Sequence, residues 1–323
     1  MRWLTLVLVL VLVLPLLACE SRVIVSRSPS PQTVSPSATP AVSPSATASP
    51  TPAKVALQPV PSVSPATRLL SYERGGDIGR TSLRFVLTDD GRVITEDPSG
   101  DLVQRKLSPS GAAAMVLQAI ETRLFDRDAD YRREPLPGTT PPARGTTVLI
   151  LVVANGPREV RVSVEPTGQP DDERYQPSPT REKLTALARG YEDLSWVPAS
   201  NWVESRPQPY QPAFHRLFLL SQPNVAPAGR PSDADAIWPF LTPIDGTGEP
   251  MGGTSWRCVV LVDGDALTLG EALARAGELT RYGWGSAMTT AALAWRGNGS
   301  VRLQINPLLP HEPATCAGAP PPL

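Results

Sequence analysis

Between Ser26 and about Thr67 the chain holds almost nothing from which a core could be built, and this stretch fixes where folding can begin. Ser, Pro, Thr, Ala and Val dominate it, with near-repeats such as Ser-Pro-Ser-Ala-Thr-Pro at 35–40 and Ser-Pro-Ser-Ala-Thr at 43–47. Without large apolar side chains, burial cannot offset the entropy of ordering the backbone, so the run is expected to remain unfolded. Frequent proline biases it toward extended polyproline II segments, a semi-stiff spacer reaching at most roughly 130 Å at ~3.1 Å per residue. A folded body therefore begins near Arg68. It has about 250 residues to work with, enough for one large core or two small ones.

Upstream of the spacer, Met1-Arg2 supplies one positive charge, and an apolar run follows from Leu6 to Leu14. This is the layout of a secretory signal, too short for a comfortable membrane span. It ends in Leu16-Leu17-Ala18-Cys19, which resembles the lipobox of bacterial lipoproteins. The resemblance implies removal of residues 1–18, a diacylglycerol group on the Cys19 sulfur, and a body tethered outside the cytoplasm at the cell membrane or outer membrane. Two acyl chains bury enough methylene to hold such an anchor.

In an oxidising exterior, two remaining cysteines most often pair, so Cys258 and Cys316 are expected to form a disulfide, with buried free thiols as the other possibility. On the chain-entropy model that closure is worth roughly 4 kcal/mol. Net charge is −1, with both signs interspersed. No basic stripe is present to neutralise phosphates, which argues against nucleic acid as a partner.

Local pattern predicts an α+β fold: antiparallel sheets with a few packing helices. In the first half, 68–196, a strand over 69–74 leads to Gly75, Gly76, Asp77, Ile78 and Gly79, and a strand at 81–88 turns at Asp89-Asp90-Gly91 into a return strand. A strand over 102–107 precedes Ser108-Pro109, which caps a helix over 109–125 with Met115, Ile120 and Leu124 as core candidates. The apolar run 148–154 implies burial on both faces or a central place in the sheet. Asn155-Gly156 turns it into a returning strand along which Val160, Val162 and Val164 are expected to alternate outward and inward, and a helix over 180–191 follows.

The second half, 197–318, reads as another α+β unit packed on the first, with 319–323 a flexible tail. Strands are expected at 214–220 and 256–262, a turn at Asp263-Gly264-Asp265, a helix over 268–280, and a closing hairpin at 289–295 and 300–305 around Gly297-Asn298-Gly299.

The order of elements in the first half, with Arg74-Gly75-Gly76-Asp77-Ile78-Gly79, the helix after Ser108-Pro109 and the 147–165 hairpin, resembles the emfourin-like domain. Its members are associated with inhibition of thermolysin-like metallopeptidases. The resemblance covers about 125 residues and implies that Gly75, Gly76, Asp77 and Gly79 form an interaction loop. Asp77 stands where the family pattern usually has an aromatic residue.

Residues for catalysis are sparse. Nucleophilic hydrolysis through serine needs an imidazole base, and the chain has two histidines. His215 lies inside a predicted strand, and His311 sits in the Pro-rich tail, where exposure to solvent is expected. Gly-x-Ser-x-Gly, phosphate-binding-loop and His-Glu-x-x-His patterns are absent from the sequence. Asp126, Asp128 and Asp130 alternate as calcium ligands can, but Tyr131 stands where an EF-hand needs glycine, and Arg127, Arg132 and Arg133 oppose a cation, so a solvated loop is favoured. Six of the seven tryptophans, at 196, 202, 238, 256, 284 and 295, either fill the core or stack on sugars.

These readings converge on a lipid-anchored, non-catalytic module that needs no cofactor and binds an extracytoplasmic protein or envelope polymer. Metallopeptidase inhibition and hydrolysis of an envelope polysaccharide are the alternatives.

Overall fold

A computed structural model describes residues 53–75, 81–140, 147–169, 171–225, 233–278, 289–295 and 299–319. Eight strands make the first sheet: β1 (Arg68–Gly75), β2 (Thr81–Thr88), β3 (Arg92–Glu96), β4 (Leu102–Lys106), β5 (Ala129–Tyr131), β6 (Val148–Asn155), β7 (Arg158–Val164) and β8 (Gln208–Pro209). Their order is β5-β7-β6-β1-β2-β3-β4-β8, antiparallel throughout except for the parallel β5–β7 pair. Helices α1 (Pro109–Glu121) and α2 (Pro179–Asp193) cover one face of it.

Alternation decides that face. Val160, Val162 and Val164 of β7 point into the helix-side core, as do Leu149, Leu151 and Val153 of β6. Ile150 and Val152 of β6 are buried too, so the unbroken apolar run follows from burial on both faces. Tyr191 of α2 stacks on Phe85 of β2 with ring centroids 5.1 Å apart, and neither residue is solvent-exposed.

Both helices start on a serine cap. Ser108 Oγ accepts from Gly111 N at 3.1 Å, and Ser178 Oγ accepts from Arg181 N at 3.3 Å. Helix α1 is a turn shorter than its apolar pattern predicts, because the Thr122 hydroxyl donates to Ala119 O and Arg123 adopts φ 59°. At the β2–β3 turn Gly91 has φ +80°, and a Cβ there would lie 2.6 Å from Leu107 O, so glycine is required.

The second sheet comprises β9 (Phe214–Gln222), β10 (Glu249–Pro250), β11 (Trp256–Val262), β12 (Thr289–Trp295) and β13 (Gly299–Pro307). Its order is β10-β11-β9-β13-β12, all antiparallel. Helices α3 (Ala234–Ile237) and α4 (Asp263–Arg275) lie over one face, around Leu217, Leu219, Trp238, Phe240, Leu269 and Leu273. Asp263-Gly264-Asp265 is therefore the first turn of a helix, not a free turn, and the helix begins five residues earlier than its apolar stripe suggests. Acidic side chains suit both situations, because the N-terminal amides of a helix attract negative charge. Residues 279 and 280, expected to end this helix, lie outside the described residues.

Each sheet has helices on one side, and a single segment closes both of the other sides. On the first sheet Val86, Ile94, Leu102 and Tyr210 form an apolar patch joined by Leu309. On the second, Phe218, Trp256 and Cys258 are joined by Cys316 and Ala319. The chain beyond β13 thus crosses from one open face to the other. At the other end, residues 54–58, expected to belong to the free spacer, lie against the second sheet's core instead, and Ala66 and Thr67 bond to Pro310 and to Asp89 of the β2–β3 turn. By Cα packing, Thr51–Leu323 form one compact unit. Among the described residues no helix is long and apolar enough to cross a membrane.

Candidate functional site

The residues singled out in the sequence end up in different places. Cys19, Gly76, Asp77 and Gly79 lie outside the described residues, as does Trp284. Gly75 is the last residue of β1, paired with Thr81 and Val148.

The three aspartates do not converge. Asp128 Oδ1 accepts the Arg161 backbone N–H at 2.8 Å, whereas Asp130 Oδ2 takes the Arg132 guanidinium at 2.7 Å. Asp126 contributes only its carbonyl, to Arg158 at 2.9 Å. Residues 129–131 form an edge strand where a solvated loop was expected, since their backbone pairs with β7. Among the described residues no group of three His, Cys, Asp or Glu is placed to hold a metal ion.

The tryptophans divide similarly. Trp238 and Trp256 are buried, and Trp202 is half-buried with the Arg105 guanidinium 4.0 Å above its ring. Trp196 is 38% exposed, but its indole N–H donates to Gly190 O at 2.8 Å and its ring leans on Tyr191, so it closes the end of α2.

Charged and polar groups gather instead where the two ends of the chain return to the body. Cys258 of β11 and Cys316 are joined by a disulfide, with Cα atoms 5.9 Å apart. Arg216, near the start of β9 and 8% exposed, reaches the C-terminal segment with its whole guanidinium. Nε donates to Thr315 O at 2.9 Å, one terminal nitrogen to Glu312 Oε1 at 2.8 Å, and the other to Pro313 O at 3.1 Å. The buried Tyr210 hydroxyl donates to Leu308 O at 2.7 Å, and Ala66 N donates to Pro310 O at 2.8 Å.

His311 lies within this junction. Burial holds its imidazole below the usual histidine range; Glu312 and Glu159 counteract that, and Arg68 and Arg216 reinforce it. Its Nδ1 is sealed from solvent without a hydrogen-bond partner, contrary to the exposure expected of a Pro-rich tail. Beside it, Arg68 of β1 donates Nε to Glu159 Oε1 of β7 at 2.8 Å. That bond holds the Glu159 carboxyl below its ordinary range and raises the Arg68 guanidinium. His215 of β9 is buried as well, and desolvation pushes it down to about 4.

The N-terminal strap completes the arrangement. Val55 N donates to Pro239 O and Leu241 N to Val55 O, both at 2.8 Å, adding one parallel bridge beside Phe240. Leu57 packs into the second core, and Gln58 N donates to the buried Asp265 carboxylate at 2.8 Å. Lys54 Nζ donates to Asp235 O at 3.2 Å.

Chemically, this junction grips backbone: carbonyls and amides of extended segments are held by a buried guanidinium, a phenol and a carboxylate. Sequence reading missed Arg216 and Asp265 as anchors. For Arg216 a signal was present, a charge set inside the apolar strand Phe-His-Arg-Leu-Phe-Leu-Leu. No protein-family model matches the chain, and no curated protein matches it in sequence.

Proposed function

We propose that the chain is a bacterial lipoprotein: Cys19 carries the lipid, the Ser/Thr/Pro-rich run is the spacer, and the α+β body is a non-catalytic binding module held outside the cytoplasm. One observation carries this reading. The residues that end the spacer, Val55 to Gln58, do not hang from the body but are hydrogen-bonded and packed into it. A tether gripped in this way passes load and orientation to a folded unit, which suits presentation to an extracytoplasmic protein or envelope polymer. The Cys258–Cys316 disulfide agrees with an oxidising compartment.

The test is acylation. In a bacterium fed labelled palmitate, the full chain incorporates label into the membrane fraction, and Cys19→Ser abolishes incorporation. A mature chain that is unacylated and recovered from the cytoplasm overturns the proposal.

A second reading, metallopeptidase inhibition, rests on the resemblance of the 68–196 sequence pattern to the emfourin-like domain. Stoichiometric inhibition of a thermolysin-like peptidase by the full chain would replace the binding-module reading with this one.

A further inference from the structure

The segment after β13 is the only stretch of described chain that supplies side chains to the open faces of both sheets. Its hold on the first sheet is made of the Leu309 contact, the Tyr210 bond to Leu308 O and the Ala66 bond to Pro310 O. Its hold on the second is stronger: three donated hydrogen bonds from Arg216, then the covalent bond to Cys258. His311 sits at the crossing between these two grips. The groups facing it are Arg68 of β1, Glu159 of β7, Arg216 of β9 and Glu312 on its own segment.

Both carboxylates are already engaged. Glu159 pairs with Arg68, and Glu312 accepts from Arg216 through one oxygen and from Leu309 N through the other. A proton on the sealed Nδ1 of His311 would therefore place a third cation beside two guanidiniums, with both nearby carboxylates already engaged.

We propose that Leu308–Glu312 is an acid-released clasp: protonation of His311 frees it from the first sheet's open face, while Cys316 keeps it attached to the second. Release uncovers the apolar patch of Val86, Ile94, Leu102 and Tyr210.

The sign follows from linkage. The closed clasp holds His311 neutral, whereas the open one lets it titrate near the free value of about 6.5. Clasp stability is thus fully present above about pH 6.5 and is lost as pH falls below it. The Arg68–Glu159 pair does not account for this window, because a carboxyl held low gives up its contribution only at pH values below the ordinary carboxylate range of about 4.3.

Hydrogen exchange on the full acylated chain in detergent, corrected for intrinsic rates, tests the idea. Between pH 7.5 and 5, amides of Leu308, Leu309, His311 and Glu312 and of the covered β2–β3 hairpin should lose protection by at least about threefold, with β11 unchanged. His311→Gln, neutral at every pH, should abolish this response, and His215→Gln should retain it. Glu159→Gln, which removes an anion facing the imidazole, lowers the closed-state imidazole further and should enlarge the acid-driven loss of protection; it serves if His311→Gln misfolds. Equal protection at both pH values, an undiminished response in His311→Gln, or loss of β11 protection in step with the clasp each overturns the proposal.

Discussion

The first sheet and the second are built by opposite strategies. Strands β1 to β7 and helices α1 and α2 draw their core almost wholly from their own stretch of chain, with Phe85, Leu151, Val162, Leu184 and Tyr191 fully buried among neighbours between residues 68 and 202. The second sheet has five strands and one helix of useful length. It borrows Leu57 from the N-terminal strap and Cys316 from the tail, and it is stapled by a disulfide. A small core buries too little apolar surface to offset chain entropy on its own, so distant segments and covalent closure make up the difference.

The largest test of this contrast lies in the self-sufficient core. Tyr191→Ala removes a fully buried ring stacked on Phe85 and should cost about 3–5 kcal/mol in urea unfolding. Tyr191→Phe should be near neutral, because the buried hydroxyl has no hydrogen-bond partner to lose. If β11 and β6 amides lose exchange protection equally in Tyr191→Ala, the two sheets unfold as one cooperative unit and the contrast is structural only.

Next is the staple. Replacing Cys258 and Cys316 together by alanine should cost roughly 2–4 kcal/mol. The loss should appear in exchange at β9 and β11 before it appears at β6. Uniform loss across both sheets would break the comparison from the other side.

The smallest expected effect is at the borrowed strap. Asp265→Asn weakens a charge-assisted bond from the Gln58 amide and should cost about 1.5–3 kcal/mol, read as proteolytic opening of residues 53–60. A strap that stays resistant to protease in this variant would mean that Leu57 burial and the Val55 bridge alone retain it.

Legibility followed the same division. In the first sheet, alternation in β7, the two-sided apolar run of β6 and the serine cap of α1 could be read directly, because each is set by neighbours within a few residues. Two features escaped: the parallel edge strand β5, three residues long and held by a β7 backbone thirty residues away, and the early end of α1. In the second sheet the strands were readable, whereas the start of α4 was not, since Asp-Gly-Asp serves a turn and a helix N-terminus alike. The junction was the least readable. Arg216 shows as a charge inside an apolar strand, but nothing local to it names Thr315, Pro313 and Glu312 as its partners.

What the sequence by itself determined is what depends on short-range chemistry: the periodicities, the caps, the turn glycine at 91, and two cysteines available to pair. The tertiary structure alone decided that Val55 to Gln58 is gripped, that the Nδ1 of His311 is sealed beside Arg68, Glu159, Arg216 and Glu312, and that one segment covers both open faces. Those outcomes rest on contacts between residues about a hundred to more than two hundred positions apart. Apolar patterning fixes which face of a strand is buried, but not which distant segment will cover it.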